Sequence, residues 1–229
     1  MSKHPLTRRP VWPAVCTILT RYATAWTYLV AATAGQVFYE LLPRGDRGEL
    51  VAWASTNVHN LVHDPLGCLV ASAFLPSGNS PTWPLLTALA LFGATHVLGN
   101  WRTALVCATG HVAGTYVSEG IVDYRILHGT LPAADRYIVD VGPSYVVVAA
   151  LVVALLFGGW LIRAAAALDL ALLVFAGQIL AGLSKLHVAA VGHVTSMTTA
   201  ALLGGWLGWR QRRGQPADLA PRTEAGPVT

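Results

Sequence analysis

Six apolar stretches, separated by short segments that carry most of the charges, constrain this chain more than any other feature of its sequence. A helix needs about 20 apolar residues to cross a hydrocarbon core of about 30 Å, and each stretch is close to that length. Charged residues make up only 11 % of the chain, whereas soluble domains carry about a quarter. The sequence therefore predicts an all-α membrane protein with six transmembrane helices. These fall at residues 22–42, 83–101, 103–122, 142–162, 165–183 and 187–209.

The segment between the first two stretches, residues 43–82, is too long and too mixed to be a simple loop. Within it, residues 50–61 place apolar side chains at near-helical spacing among polar ones, and residues 66–75 are apolar but too short to cross a membrane. Such segments lie in the interface with one face in the lipid. We expect a half-submerged, amphipathic first loop.

The distribution of charge predicts the orientation. Arginine marks the basic tail at residues 1–21, Arg102, Arg163 and the tail at residues 210–229. Because basic residues stay on the cytoplasmic side, both termini are expected there, flanking one membrane domain at residues 22–209. The second tail, rich in Pro, Gly and charge, is expected to be disordered. The net charge of +4 is explained by this orientation and does not indicate nucleic-acid binding. Thirteen arginines against two lysines indicate a GC-rich genome, hence a bacterial plasma membrane.

The cysteines and histidines do not form a metal-binding pattern. The three cysteines have no CxxC spacing, so neither a disulfide framework nor a zinc site is predicted. Four histidines in or beside the apolar stretches leave a haem or metal site as an alternative, although no pair has the spacing of a known site. We expect no cofactor and no metal. The four are His96, His111, His187 and His193.

A serine and a histidine form the candidate catalytic pair. Ser144 begins the fourth apolar stretch behind a Gly-Pro turn, and His193 lies near the start of the sixth. At 1.5 Å per residue, Ser144 lies about 28 Å from Arg163 and His193 about 25 Å from Arg210, so the two sit at similar depth. The alternative is a serine that bonds its own backbone and a histidine that bonds a neighbouring carbonyl. Asp140, shortly before the serine, is expected to be a solvated acid.

This pattern resembles the rhomboid family of intramembrane serine proteases. The resemblance rests on the six spans, the Gly-x-Ser at Ser144, the histidine flanked by small residues at His193, and the apolar Ser-Ala-Phe-Leu pattern at residues 72–75. It implies a nucleophilic Ser144, a general base at His193, and transmembrane segments of other proteins as substrates. The sequence departs from the family at Tyr145, where glycine is usual, and at Val148, where an aromatic residue is frequent.

A second motif of that family, His-x-x-x-Asn, supplies hydrogen bonds to the oxyanion, and His96 and Asn100 match it. Hydropathy instead places both residues near the cytoplasmic end of the second span, far from Ser144. We follow hydropathy, which leaves the Ser144 backbone N–H and a first-loop group such as Asn79 as oxyanion donors.

Two functions therefore stay open. The first is proteolysis by a Ser144–His193 dyad, and the second is an inactive rhomboid-like protein that binds transmembrane partners. Both place the chain in the lipid bilayer, and neither predicts an oligomeric state. Transport is a weaker alternative, because no broken helix pair or repeat is visible.

Overall fold

A computed structural model describes residues 11–75 and 83–213, and 84 % of these residues are helical, with no β-strand among them. Two short 3-10 turns, Ala133–Tyr137 and Leu183–Lys185, interrupt the connecting segments. The helices are α1 (Val11–Arg21), α2 (Ala23–Leu41), α3 (Arg44–Ala54), α4 (Val58–His63), α5 (Pro65–Phe74), α6 (Trp83–Leu98), α7 (Asn100–Leu127), α8 (Ser144–Phe157), α9 (Trp160–Phe175) and α10 (Val188–Arg213).

The longer helices follow the predicted apolar stretches, but several bounds differ. Helix α7 continues to Leu127, so the charged residues 123–127 belong to a helix rather than to a loop. Helix α8 ends at Phe157 instead of residue 162, because Gly158 and Gly159 follow it. Residues 11–21, predicted as tail, form α1, and α10 continues into the predicted second tail as far as Arg213. The rest of that tail, predicted to be disordered, lies outside the described residues.

By length and composition, α10 is the one described helix that could span a membrane, over Val188–Gln211. Three apolar helices are shorter, namely α5, α6 and α8. Helix α8 is about 21 Å long at 1.5 Å per residue, less than the thickness of a hydrocarbon core. All ten residues from Tyr145 to Ala154 are buried, because α6, α7, α9 and α10 pack around this helix. A helix enclosed by protein does not have to match the lipid thickness.

Small residues bring α7, α8 and α10 close together. A Cβ on Gly114 would lie 2.8 Å from the Gly192 carbonyl oxygen, and one on Gly110 would lie 2.9 Å from Ser196 Oγ and 3.0 Å from Ala149 Cβ. Near the other end of α8, a Cβ on Gly204 would lie 3.2 Å from Val153. These contacts align the start of α8 with the start of α10 and with the later turns of α7.

The helices therefore define two ends of the bundle. The Ser144 end contains the starts of α8 and α10 and the C-terminal part of α7. The Arg102 end contains the starts of α2, α7 and α9 and the C-termini of α6, α8 and α10. At that end the backbone N–H of Thr24, in α2, donates to the side chain of Asn100, the first residue of α7.

The predicted amphipathic first loop forms α3, α4 and α5. Asn57 caps α4 by accepting the backbone N–H of Asn60, and Asp64 caps α5 by accepting that of Gly67. Pro65 occupies the first turn of α5, where a missing N–H costs nothing. The backbone between α3 and α4, at Ser55 and Thr56, is buried and contacts the segment before α8.

Candidate functional site

The chain enters α8 through a constrained turn that places Ser144 at the first helical position. Gly142 has φ +141°, a conformation that favours glycine, and its N–H donates to the Ser72 carbonyl at 3.1 Å. Pro143 precedes the helix, and no side chain caps it. Val147 is the first residue of α8 whose backbone N–H donates to a backbone carbonyl, that of Pro143. The N–H groups at Ser144 and the next two residues therefore remain available as donors.

His193 is held in one tautomer. Its ring is buried, and Nδ1 lies 2.9 Å from the Ile179 carbonyl oxygen. Because a carbonyl oxygen only accepts, we assign the proton to Nδ1. In the neutral ring, Nε2 is then an acceptor, and it is buried without a hydrogen-bond partner. A histidine that acts as general base towards a serine needs this tautomer.

Tyr145 supports the His193 ring. The two ring centroids are 5.0 Å apart and the planes are nearly perpendicular, at 80°, a favourable aromatic arrangement. The tyrosine side chain lies against the α10 backbone at Gly192, where a Cβ would overlap its hydroxyl. Ser196 Oγ, also in α10, donates to the Tyr145 carbonyl at 2.7 Å. The residue that departs from the rhomboid pattern therefore packs directly against the candidate base.

Asp140 is not the solvated acid that the sequence suggested. Its Oδ2 accepts the Tyr145 hydroxyl at 2.9 Å, and its backbone carbonyl accepts the N–H of Thr56 at 2.9 Å. Its own N–H donates to Ser55 Oγ at 2.9 Å. Burial raises the pKa of Asp140, and the hydrogen bonds from Tyr145 and Thr56 partly oppose that rise. The prediction failed because the partners lie on other segments of the chain.

Ser144 and His193 lie at the same level of the bundle but are not hydrogen-bonded. A Cβ on Gly114 would contact both Tyr145 and Gly192, the neighbours of the two candidate residues. His193 Nε2 has no partner, so the half-buried Ser144 does not bond it in this conformation. The structure thus places Ser144 and His193 near the starts of two packed helices, α8 and α10, without a hydrogen bond between them.

His96 and Asn100 lie at the Arg102 end, where hydropathy places them. The Tyr22 hydroxyl is 2.9 Å from His96 Nδ1, and the Asn100 side chain bonds the backbone of Thr20 and Thr24. Neither residue is available as an oxyanion donor to Ser144. The other candidate donor, Asn79, lies outside the described residues.

His111 is a packed and hydrogen-bonded histidine. Its Nε2 is 3.0 Å from the Leu69 carbonyl and 3.3 Å from Ser72 Oγ. His187 is exposed at the start of α10. Within residues 11–75 and 83–213, no group of three or more His, Cys, Asp or Glu side chains could hold a metal ion.

Glu119 is a buried acid that the sequence interpretation overlooked. Its side chain is 2 % exposed, and neither carboxylate oxygen has a hydrogen-bond partner. It approaches the backbone N–H of Val58 without reaching hydrogen-bond geometry, and it interacts electrostatically with Asp140 and Tyr145. A signal was present in the sequence, since Glu119 is the one acid within the third predicted span, residues 103–122.

The chain matches the model of a known protein family. A family model described as rhomboid-like protein matches residues 19–204. No curated protein and no solved structure shows significant similarity to the chain. The matched range includes the whole candidate site, from Ser55 to His193.

Proposed function

Because the chain belongs to the rhomboid-like family of membrane proteins, we propose that it is an intramembrane serine protease that cleaves transmembrane segments with Ser144 and His193. The observation that carries the proposal is the state of His193. Nδ1 of His193 lies within hydrogen-bond distance of the Ile179 carbonyl oxygen. Nε2 is buried and has no hydrogen-bond partner, and Ser144 lies at the start of the neighbouring helix α8. A buried acceptor without a partner is costly, which supports a role that uses it.

In the proposed reaction, Ser144 Oγ attacks the carbonyl carbon of a peptide bond while Nε2 of His193 takes the hydroxyl proton. The backbone N–H groups of Ser144 and the next two residues, which have no acceptor within the helix, stabilise the resulting oxyanion. The C–N bond then breaks, and His193 returns the proton to the leaving amine. Water hydrolyses the acyl-enzyme in the second half of the reaction, with the same histidine as base.

The missing hydrogen bond between Ser144 and His193 must form before the attack. Hydrogen bonds between catalytic groups are often long or absent without substrate and shorten in the complex. Rotation of the Ser144 side chain, with α8 and α10 in place, would turn its hydroxyl towards His193. Tyr145 and Gly192 fix the His193 ring meanwhile, so the serine is the partner that moves.

The proposed topology follows the sequence prediction. Six spans, formed by α2 and α6 to α10, cross the bilayer of a bacterial plasma membrane, with both chain termini on the cytoplasmic side. Helices α3 to α5 lie half-submerged at the opposite surface. The arginines of the Arg102 end and the acids of the Ser144 end support this orientation.

The second candidate is an inactive rhomboid-like protein that binds transmembrane clients. The absence of the Ser144–His193 hydrogen bond is the observation that favours it. Since binding requires no nucleophile, Ser144 would then be a packing residue at the start of α8.

Labelling with a fluorophosphonate distinguishes the two functions. The reagent forms a covalent bond with an activated serine, so we expect the detergent-purified chain to be labelled and the Ser144→Ala and His193→Ala variants not to be. Ser196→Ala is the matched control, because Ser196 Oγ is buried and bonds the Tyr145 carbonyl. An unlabelled wild-type chain, beside a labelled active rhomboid protease, would favour the binding protein.

A further inference from the structure

The Arg102 end carries a set of guanidinium groups that form no ion pair with a carboxylate among the described residues. The described ion pairs, Arg47–Glu40 and Arg136–Asp123, both lie at the Ser144 end. Of the nine acids in the described residues, eight belong to segments at that end, and the ninth, Asp169, is buried within α9. The Arg102 end therefore presents positive charge without a counter-charge from the described part of the chain.

Several of these guanidinium groups are held on tryptophan rings. Arg213 lies 4.1 Å from the ring centroid of Trp209, and Arg102 lies 4.9 Å from that of Trp101. Arg102 Nη1 also donates to the Leu98 carbonyl at 3.4 Å. These contacts restrict the side chains and leave donor groups free for an anion.

A cleft of about 300 Å³, lined by six apolar residues or glycines and by Gln211, opens at the same place. Two of its lining residues, Leu98 and Trp209, are those that hold Arg102 and Arg213. Each of these two residues therefore contacts both the cleft and a guanidinium group. It lies between α6, α8 and α10, and its apolar lining consists of Val97, Leu98, Phe157, Gly205, Gly208 and Trp209.

We propose that this cleft binds an anionic phospholipid of the surrounding bilayer, with one acyl chain in the cleft and the phosphate between Arg102 and Arg213. The charge of the site selects the ligand. Guanidinium groups pair with phosphate oxygens through two parallel hydrogen bonds, and no described acid lies nearby to bind the ammonium group of a zwitterionic lipid. A membrane protein is surrounded by molecules that combine a phosphate with apolar chains, and basic pockets between helices bind such headgroups.

Gly208 provides a variant that separates this site from general attraction of basic residues to a charged surface. A Cβ at Gly208 would meet no atom within 4 Å, although the residue lines the cleft. Gly208→Leu therefore adds a bulky side chain to the lining of the cleft, from a position where its Cβ meets no neighbour, and leaves every arginine in place. Gly208→Ala is the matched control, because it adds a methyl group and leaves most of the cleft open.

The test is native mass spectrometry of the full chain in detergent, titrated with dioleoyl phosphatidylglycerol or dioleoyl phosphatidylcholine. We expect retention of phosphatidylglycerol and at least tenfold weaker binding of phosphatidylcholine. The Arg102→Ala/Arg213→Ala variant and the Gly208→Leu variant should each bind phosphatidylglycerol about tenfold more weakly.

Two controls complete the test. Arg21 rests on the ring of Tyr22 at the Arg102 end and does not contact the cleft, so Arg21→Ala should bind within about twofold of the wild type, as should Gly208→Ala. Equal binding of the two lipids, unchanged binding by Gly208→Leu, or an equal loss in Arg21→Ala would each overturn the proposal. Because the readout is lipid retention, the result does not depend on proteolytic activity.

Discussion

At the scale of single residues, the close contact between Tyr145 and Gly192 helps to position the ring of His193, the candidate base. Any side chain on Gly192 would occupy the space of the Tyr145 hydroxyl and ring. We expect Gly192→Ala to lower the free energy of unfolding by about 1–3 kcal/mol, the usual cost of overpacking, and to displace Tyr145 from His193. Thermal unfolding in detergent measures the loss. Gly208→Ala, where the added Cβ meets open space, should not lower the melting temperature, and a similar loss in both variants would contradict the packing argument.

The second residue-scale prediction concerns the protonation of Asp140. Burial raises the pKa of this carboxyl above its ordinary value, so the folded chain holds the proton to a higher pH than the unfolded chain. Its contribution to stability therefore falls as the pH rises from the ordinary carboxyl pKa through the raised one, and is constant above it. Asp140→Asn retains an acceptor for Tyr145 and Thr56 but does not titrate.

The measurement for Asp140 is the difference in melting temperature between Asp140→Asn and the wild type from pH 4 to pH 8. This difference should move in favour of the variant as the pH rises. Tyr145→Phe should extend the sensitive range upwards, because it removes a donor that lowers the pKa of Asp140. A difference that stays constant with pH would show that Asp140 does not titrate in this range.

Residue patterns predicted the candidate pair but not its surroundings. Helix starts, small-residue spacing and depth can be estimated from the sequence, so the similar depth of Ser144 and His193 was predictable, while their catalytic role stays a prediction. The hydrogen bond from Tyr145 to Asp140 depends on a side-chain contact across a turn, and the burial of Asp140 depends on Ser55 and Thr56, over eighty residues earlier. The residues that surround Asp140 in the sequence do not indicate such contacts.

At the scale of elements, two of the residues between α3 and α4, Ser55 and Thr56, hold the segment before α8 through hydrogen bonds. Ser55 Oγ accepts the Asp140 N–H and donates to the Ile138 carbonyl, and Thr56 Oγ1 donates to the Asp140 carbonyl. We expect the Ser55→Ala/Thr56→Val variant to exchange the backbone amide hydrogens of residues 138–142 about tenfold faster, since each bond contributes about 1 kcal/mol.

Hydrogen–deuterium exchange with peptide resolution measures this effect. Thr130→Val is the matched control, because it removes one side-chain bond, to the Arg125 carbonyl, at the other end of the same connecting segment. It should leave the exchange at residues 138–142 unchanged. If both variants accelerated exchange equally, the segment would be loosened as a whole and the two first-loop residues would not be its specific attachment.

The helices themselves were largely predictable, and their ends were not. Apolar length predicted the positions of α6, α7, α8 and α10, whereas α9 begins and ends several residues before its predicted stretch, residues 165–183. The end of α8 at Gly158 and Gly159 and the extension of α7 past residue 122 depend on local backbone preferences and on a partner for Asp123, which pairs with Arg136. A hydropathy average over many residues does not detect a pair of glycines at a helix end or a single ion pair.

At the scale of the whole molecule, the fold separates two ends with different chemistry, and the proposed topology requires them to face opposite sides of the membrane. Trp101 and Tyr137 are both 59 % exposed and lie at the Arg102 end and the Ser144 end, respectively. In a Cys16→Ser background, which removes the exposed cysteine and leaves two buried ones, Trp101→Cys and Tyr137→Cys should react with a membrane-impermeant maleimide from opposite sides of sealed vesicles. If His96 and Asn100 instead lay near Ser144, as the family motif implies, the neighbouring position 101 would lie on the same side of the membrane as position 137. Labelling of both cysteines from one side would therefore reject the proposed arrangement of spans, and with it the assignment of Asn100 to a structural rather than a catalytic hydrogen bond.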